Sequence, residues 1–143
     1  MSEENVAVSP QAIEVISAAV DALNRIDADA FVAVLHPDVE WEASDERSVG
    51  FRQTYRGRTE VRRWFRDAFE PWGSLRFQVE EISEASDDRV LLGMLMTTRG
   101  EASGAETELR LWQVFWFTDD QVARRMGPYS TRETALEATE PRK

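Results

Sequence analysis

The chain has 143 residues, of which 42% are hydrophobic, 31% charged and 10% aromatic, and its formal net charge is −10 at pH 7. This length suits one domain around one hydrophobic core. The negative net charge argues against nucleic acid or an anionic membrane surface as a partner, since both attract basic proteins. The chain has no cysteine and one histidine, which excludes disulfides, a cysteine nucleophile, thiolate metal sites and multi-histidine zinc sites, so we expect neither a metal nor a cofactor.

Location and domain limits are predicted from the ends of the chain and from its apolar runs. No run approaches the ~20 apolar residues that span a bilayer. The acidic start Met1–Glu4 is unlike the basic start of a signal peptide, and a chain without cysteine suits a reducing compartment. We therefore expect a cytoplasmic protein with a single domain over residues 9–138 and flexible termini at 1–8 and 139–143.

The first part of the chain predicts two helices. Ser9 is suited to cap a helix whose first turn holds Pro10. Apolar residues follow at helical spacing, which gives one buried face: Ile13, Ile16, Val20 and Leu23. Asp27 is positioned to cap a second, short helix that carries Leu35 and ends before Pro37.

A strand, a loop and a third helix come next. Residues 39–43 alternate between apolar and charged side chains, which predicts a strand with one apolar face. The polar stretch 44–53 predicts a loop. Thr59 is positioned to cap a helix that ends at Pro71.

The remainder predicts four strands and a terminal helix. The strands fall over 75–80, 89–99, 106–117 and 121–129, with a hairpin turn at Gly100–Gly104. Ser130 and Glu133 form a capping box for a helix that ends near Ala138.

This order of elements predicts an α+β architecture with a mainly antiparallel sheet. The strands over 89–99 and 106–117 have no polar face, so both of their faces need cover. Helices cover one face. A second copy of the sheet is the simplest cover for the face that carries Trp112 and Trp116, and we therefore expect a homodimer through that face.

Five segments, in their order and spacing, resemble the SnoaL-like branch of the nuclear transport factor 2-like superfamily. They are Leu35–Trp41, Tyr55–Arg58, Arg89–Leu92, Arg99–Glu108 and Tyr129–Ala138. The resemblance covers nearly all of residues 10–138. It implies a cone: a strongly bent, mainly antiparallel sheet wrapped over the N-terminal helices around a hydrophobic pocket. The family includes ketosteroid isomerases, polyketide cyclases, dehydratases, epoxide hydrolases and non-catalytic binding modules, so the resemblance implies a fold and not a reaction.

The catalytic groups of the steroid isomerases are missing at the matching positions. The resemblance places Ala43 where those enzymes have the aspartate base and Ala19 where they have the oxyanion-hole tyrosine. Gln113 takes the place of their protonated aspartate. A methyl group neither takes a proton nor donates a hydrogen bond, so we do not expect a steroid isomerase.

The same comparison orients the strands and implies the lining of a pocket. Trp112 and Trp116 would lie on the outer face with Glu40 and Glu42. The implied pocket residues are Trp41, Ala43, Tyr55, Phe65, Leu111, Gln113, Phe115 and Tyr129.

Gln113, Arg125 and Tyr129 are the weak candidates for catalysis. Gln113 is an amide among apolar neighbours, which either orients a ligand carbonyl or a water, or bonds a nearby Tyr or Arg. Arg124 and Arg125 are adjacent, so one of the two faces the pocket. That arginine either binds a carboxylate or an enolate, or pairs with a glutamate of the sheet: Glu80, Glu106 or Glu108.

These observations predict a protein that binds a small hydrophobic molecule, polyketide-like or terpenoid-like. Such a protein is either a cofactor-free enzyme of isomerase, cyclase or hydrolase type, or a non-catalytic ligand-binding or dimeric interaction module. An open cavity that holds Gln113 and an ionisable group favours the enzyme, whereas a closed apolar cavity favours binding or packing.

Overall fold

The computed structural model of the protein describes residues 9–44, 52–69, 75–86, 89–99 and 104–139. Within these ranges the elements are, in chain order, α1 (Pro10–Arg25), α2 (Ala28–Ala33), β1 (Leu35–Ser44), β2 (Arg52–Arg56), α3 (Gly57–Phe69), β3 (Leu75–Ser86), β4 (Arg89–Arg99), β5 (Glu106–Thr118), β6 (Gln121–Tyr129) and α4 (Arg132–Ala138). None of the helices described is long and apolar enough to cross a membrane.

The six strands form one mixed sheet in the order β2-β1-β6-β5-β4-β3. The β1–β6 pair is parallel and the other four pairs are antiparallel. The sheet curls but does not close. The expected α+β class with a bent, mainly antiparallel sheet over N-terminal helices is therefore confirmed.

Both predicted caps near the N-terminus are confirmed. The Ser9 hydroxyl accepts a hydrogen bond from the Ala12 amide at 3.1 Å, and Pro10 occupies the first turn of α1. The Asp27 carboxylate accepts one from the Ala30 amide at 3.1 Å. Each cap satisfies an amide that has no partner within its own helix.

The second helix is shorter and the first strand longer than predicted. α2 ends at Ala33, and Leu35 already belongs to β1. Leu35 pairs with Val122 of β6, while no pairs are formed between Leu35 and Glu40. Pro37 lies in this gap, where the missing N–H of proline removes nothing from the ladder.

Part of the predicted 44–53 loop belongs to a strand. β2 (Arg52–Arg56) pairs with β1 alone and forms one edge of the sheet. α3 then begins at Gly57, so Thr59 lies inside the first turn and the predicted cap was wrong. The Glu60 carboxylate instead accepts a hydrogen bond from the Arg56 amide at 2.8 Å. Pro71 and most of the predicted 100–104 turn lie outside the described residues.

The terminal helix begins one residue later than predicted. The hydroxyl of Thr131, not that of Ser130, accepts a hydrogen bond from the Thr134 amide at 3.0 Å. Thr139, expected in a flexible terminus, is buried: Arg89 donates to its carbonyl and to its hydroxyl, both at 2.8 Å. The segments 1–8 and 140–143 lie outside the described residues.

Apolar side chains form one cluster on each face of the sheet. The larger cluster lies between the sheet and α1, α2 and α3. The smaller cluster, on the outer face, joins sheet residues to Ala135 of α4, and Trp112 and Trp116 pack against it. α4 therefore covers part of the face that the sequence analysis assigned to a second copy. The homodimer stays a prediction.

Candidate functional site

A cavity of about 290 Å³ lies between the helices and the inner face of the sheet. α1 contributes residues such as Ala19, α3 contributes Trp64 and Phe69, and the central strands contribute the rest. Among the described residues that line it, Gln113 and Arg125 are the two that are not hydrophobic. No Asp, Glu, His, Ser, Thr or Tyr is found in this lining. The described part of the lining therefore offers hydrogen-bond donors to a ligand but no carboxylate, imidazole or hydroxyl that could accept a proton.

The structure places four of the eight pocket residues expected from the resemblance in the cavity wall. These are Trp41, Leu111, Gln113 and Phe115. The other four, Ala43, Tyr55, Phe65 and Tyr129, do not line it.

Depth in the core or position in the sheet keeps three of these residues out of the cavity wall: Phe65, Tyr55 and Ala43. Phe65 is fully buried behind the wall, with its ring centroid 4.8 Å from that of Phe31, which does line the cavity. Tyr55 lies on the edge strand β2, and its ring centroid is 6.4 Å from that of Trp64. Ala43 is half-buried beside Gly127, towards the end of β1.

Tyr129 packs in the outer cluster with Met126, although strict alternation from Arg125 would turn it inward. In the β5–β6 ladder Trp112 pairs with Tyr129 and Val114 pairs with Met126, so β6 has one extra residue over this interval. Such a bulge reverses which face the following side chains occupy. Pro128 lines the cavity in its place.

Arg125, and not Arg124, is the arginine that faces the cavity. Arg125 pairs in the ladder with Phe115, a cavity residue, whereas Arg124 pairs with Trp116 of the outer face. The Arg124 Nη2 donates to the Glu42 carboxylate at 3.1 Å, and its guanidinium lies 4.8 Å from the Trp116 ring centroid.

The Arg125 guanidinium is held by neutral acceptors. Its Nε donates to Gln113 Oε1 at 2.7 Å, and its Nη1 donates to the carbonyls of Glu42 at 3.1 Å and Gly127 at 2.9 Å. Among the described residues no ion pair joins Arg125 to a glutamate of the sheet, which was one of its two predicted roles; Glu80 pairs with Arg110 and Glu106 with Arg99. Gln113 thus bonds a neighbouring arginine, which is one of its two predicted roles.

Two tryptophans complete the surroundings of this cation. The guanidinium carbon lies 4.6 Å from the Trp41 ring centroid and 5.5 Å from that of Trp64, within the range of cation–π attraction. Burial lowers the pKa of Arg125 to about 9, an effect opposed by its electrostatic interaction with Tyr129. Arg125 is therefore cationic at neutral pH.

Three donors around Arg125 have no acceptor among the described residues. The Trp41 indole Nε1 is fully buried without a hydrogen-bond partner. The Arg125 Nη2 and the Gln113 Nε2 make no hydrogen bond in the described ranges either. We call Arg125 and Gln113 the Arg125 cluster. The resemblance pointed to Gln113 and Trp41, but nothing in the sequence showed that these two residues meet Arg125.

Comparison with known proteins identifies relatives of this architecture. A family model described as a SnoaL-like domain matches residues 16–125. The sequence matches no curated protein.

Solved structures of similar fold include proteins with bound small molecules. TerC, co-crystallized with polyporic acid, superimposes with a TM-score of 0.70 at 20% identity, over 89% of this chain and 98% of that one. RV0760c from Mycobacterium tuberculosis, in complex with estradiol-17beta-hemisuccinate, gives 0.66 at 15% identity, over 87% and 97%. SalBIII, an epoxide hydrolase/cyclase-like enzyme with a role in pyran ring formation in the polyether salinomycin, gives 0.66 at 15% identity, over 86% and 92%. At these identities the likeness shows the fold alone.

Proposed function

We propose that this chain, which belongs to the SnoaL-like domain family, binds a small and mostly apolar molecule of polyketide-like or terpenoid-like character. The observation that carries the proposal is the cavity of about 290 Å³, whose described lining is apolar except for Gln113 and Arg125. Ligand sites in proteins typically combine apolar walls with a few converging polar groups, as this one does. Proteins of the same fold that hold polyporic acid or estradiol-17beta-hemisuccinate support it.

The hydrogen-bond donors that line the cavity are suited to bind and polarise an oxygen atom of a ligand. A general base has to lie within hydrogen-bond reach of the proton it takes, and the described lining contains no carboxylate, imidazole or hydroxyl. Arg125 and Gln113 can orient a carbonyl and stabilise negative charge on its oxygen. Arg125 is the ionisable group expected beside Gln113 in an enzyme, but a guanidinium donates hydrogen bonds and does not take a proton. Non-catalytic ligand binding is therefore the function that the geometry supports best.

A cofactor-free isomerase or cyclase is the second candidate, favoured by the cationic Arg125 beside Gln113. In such a reaction these residues would stabilise an enolate, while water or the substrate itself would accept the proton. The cyclase-like neighbour SalBIII makes this class worth testing by turnover once a ligand is known.

Native mass spectrometry of the purified protein, followed by denaturation and analysis of the released molecule, tests the proposal. Ala19 lines the cavity from α1, whereas Ala18 is exposed on the same helix. We expect wild type and Ala18→Phe to carry or accept a small molecule and Ala19→Phe to lose it, because the added ring fills the cavity. Equal occupancy in Ala19→Phe would contradict the proposed site. The same spectrum shows whether the predicted homodimer forms.

A further inference from the structure

We propose that the molecule bound in the cavity carries an anionic oxygen, a carboxylate or an ionised enol or phenol, which the Arg125 cluster recognises. This inference rests on the proposed function and names the class of ligand for the same site. The oxygen would accept hydrogen bonds from Arg125 Nη2 and Gln113 Nε2.

The first argument is the charge of Arg125. The side chain is 4% exposed and cationic, and its acceptors are one amide oxygen and two backbone carbonyls. It forms no ion pair with a carboxylate of the described ranges. Buried charges in proteins are as a rule paired, because an unpaired one loses its hydration without compensation. An anionic ligand would supply the missing countercharge.

Two neighbouring arginines of the sheet are paired with carboxylates. Arg124, the next residue in the chain, pairs with Glu42, and Arg110 on the adjacent strand pairs with Glu80 at 3.0 Å. Carboxylates are thus placed beside arginines on the outer and exposed surfaces of the sheet. In the cavity wall, the described residues place none beside Arg125.

The second argument is the orientation of the donors. The bonds from Nε to Gln113 and from Nη1 to two carbonyls fix the guanidinium, and the rings of Trp41 and Trp64 flank it. Because Gln113 accepts through Oε1, its amide NH₂ is left as a donor. A donor set fixed in advance loses little side-chain entropy when a ligand binds.

The donors also select the ligand atom. Arg125 Nη2 and Gln113 Nε2 are donors only. An oxygen that only accepts hydrogen bonds suits both of them, whereas an ammonium or amide N–H would face donors.

Isothermal titration calorimetry with two matched pairs of probes tests the inference. One pair is 2-naphthoate and its methyl ester, and the other is 2-hydroxy-1,4-naphthoquinone, an ionised enol, and its 2-methoxy ether. We expect wild type to bind the anion of at least one pair roughly 10- to 100-fold more tightly than the neutral partner, as hydrogen bonds to a charged group allow. The pair with the larger ratio distinguishes a carboxylate from an enol.

Variants of the cluster show whether Arg125 produces this preference. In Arg125→Met the ratio should fall to about 1, while Arg125→Lys should keep part of it, since the charge remains and the fixed geometry does not. Gln113→Leu removes the second donor, the amide NH₂, and it should lower anion affinity about 3- to 10-fold, with the neutral probes little changed. It also serves as the test if Arg125→Met does not fold.

The outcomes separate this inference from the proposed function. If the neutral probes bind as tightly as the anions, or if Arg125→Met keeps the anion preference, the cavity binds molecules but the anionic class is wrong. If no probe of either kind binds, both proposals are contradicted.

Discussion

Replacement of Arg125 by methionine should make the ligand-free protein more stable. Methionine has a similar length and no charge, and it suits the apolar surroundings of Trp41 and Trp64. Buried charges that lack good pairing are often less favourable than apolar side chains of similar volume.

The size of the effect follows from the burial and hydrogen bonds of Arg125. The fall in its pKa to about 9 corresponds to about 5 kcal/mol that disfavours the charged side chain in the folded state. The substitution also removes three hydrogen bonds from a charged donor, each worth about 1.5 kcal/mol. We therefore expect the free energy of unfolding to rise by less than about 1 kcal/mol at pH 7.

Urea denaturation followed by circular dichroism measures this change, with Arg124→Met as the matched control. The control should lower stability, because it removes the ion pair with the mostly buried Glu42. The folded pKa of Arg125 lies below its unfolded value, so the cost of its charge is present at neutral pH and fades as the pH rises above about 9. The gap between wild type and Arg125→Met should then narrow at pH 10. A loss of more than about 1 kcal/mol in Arg125→Met at pH 7 would refute this reasoning.

Two further substitutions test contacts that hold the sheet and α1 in place. A methyl group on Gly93 would meet the Trp112 ring at 2.5 Å. Gly93→Ala should therefore lower the free energy of unfolding by about 1–3 kcal/mol and change the near-ultraviolet circular dichroism. An unchanged spectrum would contradict the packing of Trp112 on Gly93. The Asn24 side chain accepts from the Phe77 amide at 2.7 Å and donates to the Phe77 carbonyl at 3.0 Å. Asn24→Ala should therefore lower stability by about 1–3 kcal/mol, and Asn24→Asp, which keeps the acceptor, by less; equal losses in the two variants would argue against the first bond.

Local patterns predicted the helices and the faces of the central strands well. Ser9 and Asp27 act within one turn of their own helix, so their roles depend on neighbours three residues away. Along β5 the resemblance implied that Gln113 and Phe115 face a pocket and that Trp112 lies on the outer face, and the structure places them there. Alternation separates the two faces of a strand, but the resemblance was needed to say which face lines the pocket.

Features set by pairing between distant segments were not predictable in this way. β2 is a polar edge strand, and it is recognised as a strand by its pairing with β1. The bulge that turns Tyr129 outward exists only in the register between β5 and β6. Register also decides between Arg124 and Arg125, since their sequence neighbours are compatible with either face. Asn24 of α1 bonds Phe77 of β3, which lies 53 positions further along the chain, and no spacing in the sequence indicates this contact.

The roles of Arg125 in stability and in binding should have opposite signs. If Arg125 had only a structural role, its replacement by methionine would lower the stability of the fold and, indirectly, the affinity of the protein for its ligand. An arginine held in the cavity wall for an anion disfavours the empty protein and becomes favourable when the ligand arrives, because the ligand supplies the countercharge. Arg125→Met should then unfold at higher urea than wild type when empty, and the anionic probe should raise the midpoint of wild type more than that of the variant. This crossed pattern is not expected from damage to packing, and it connects the buried charge directly to the function of the cavity.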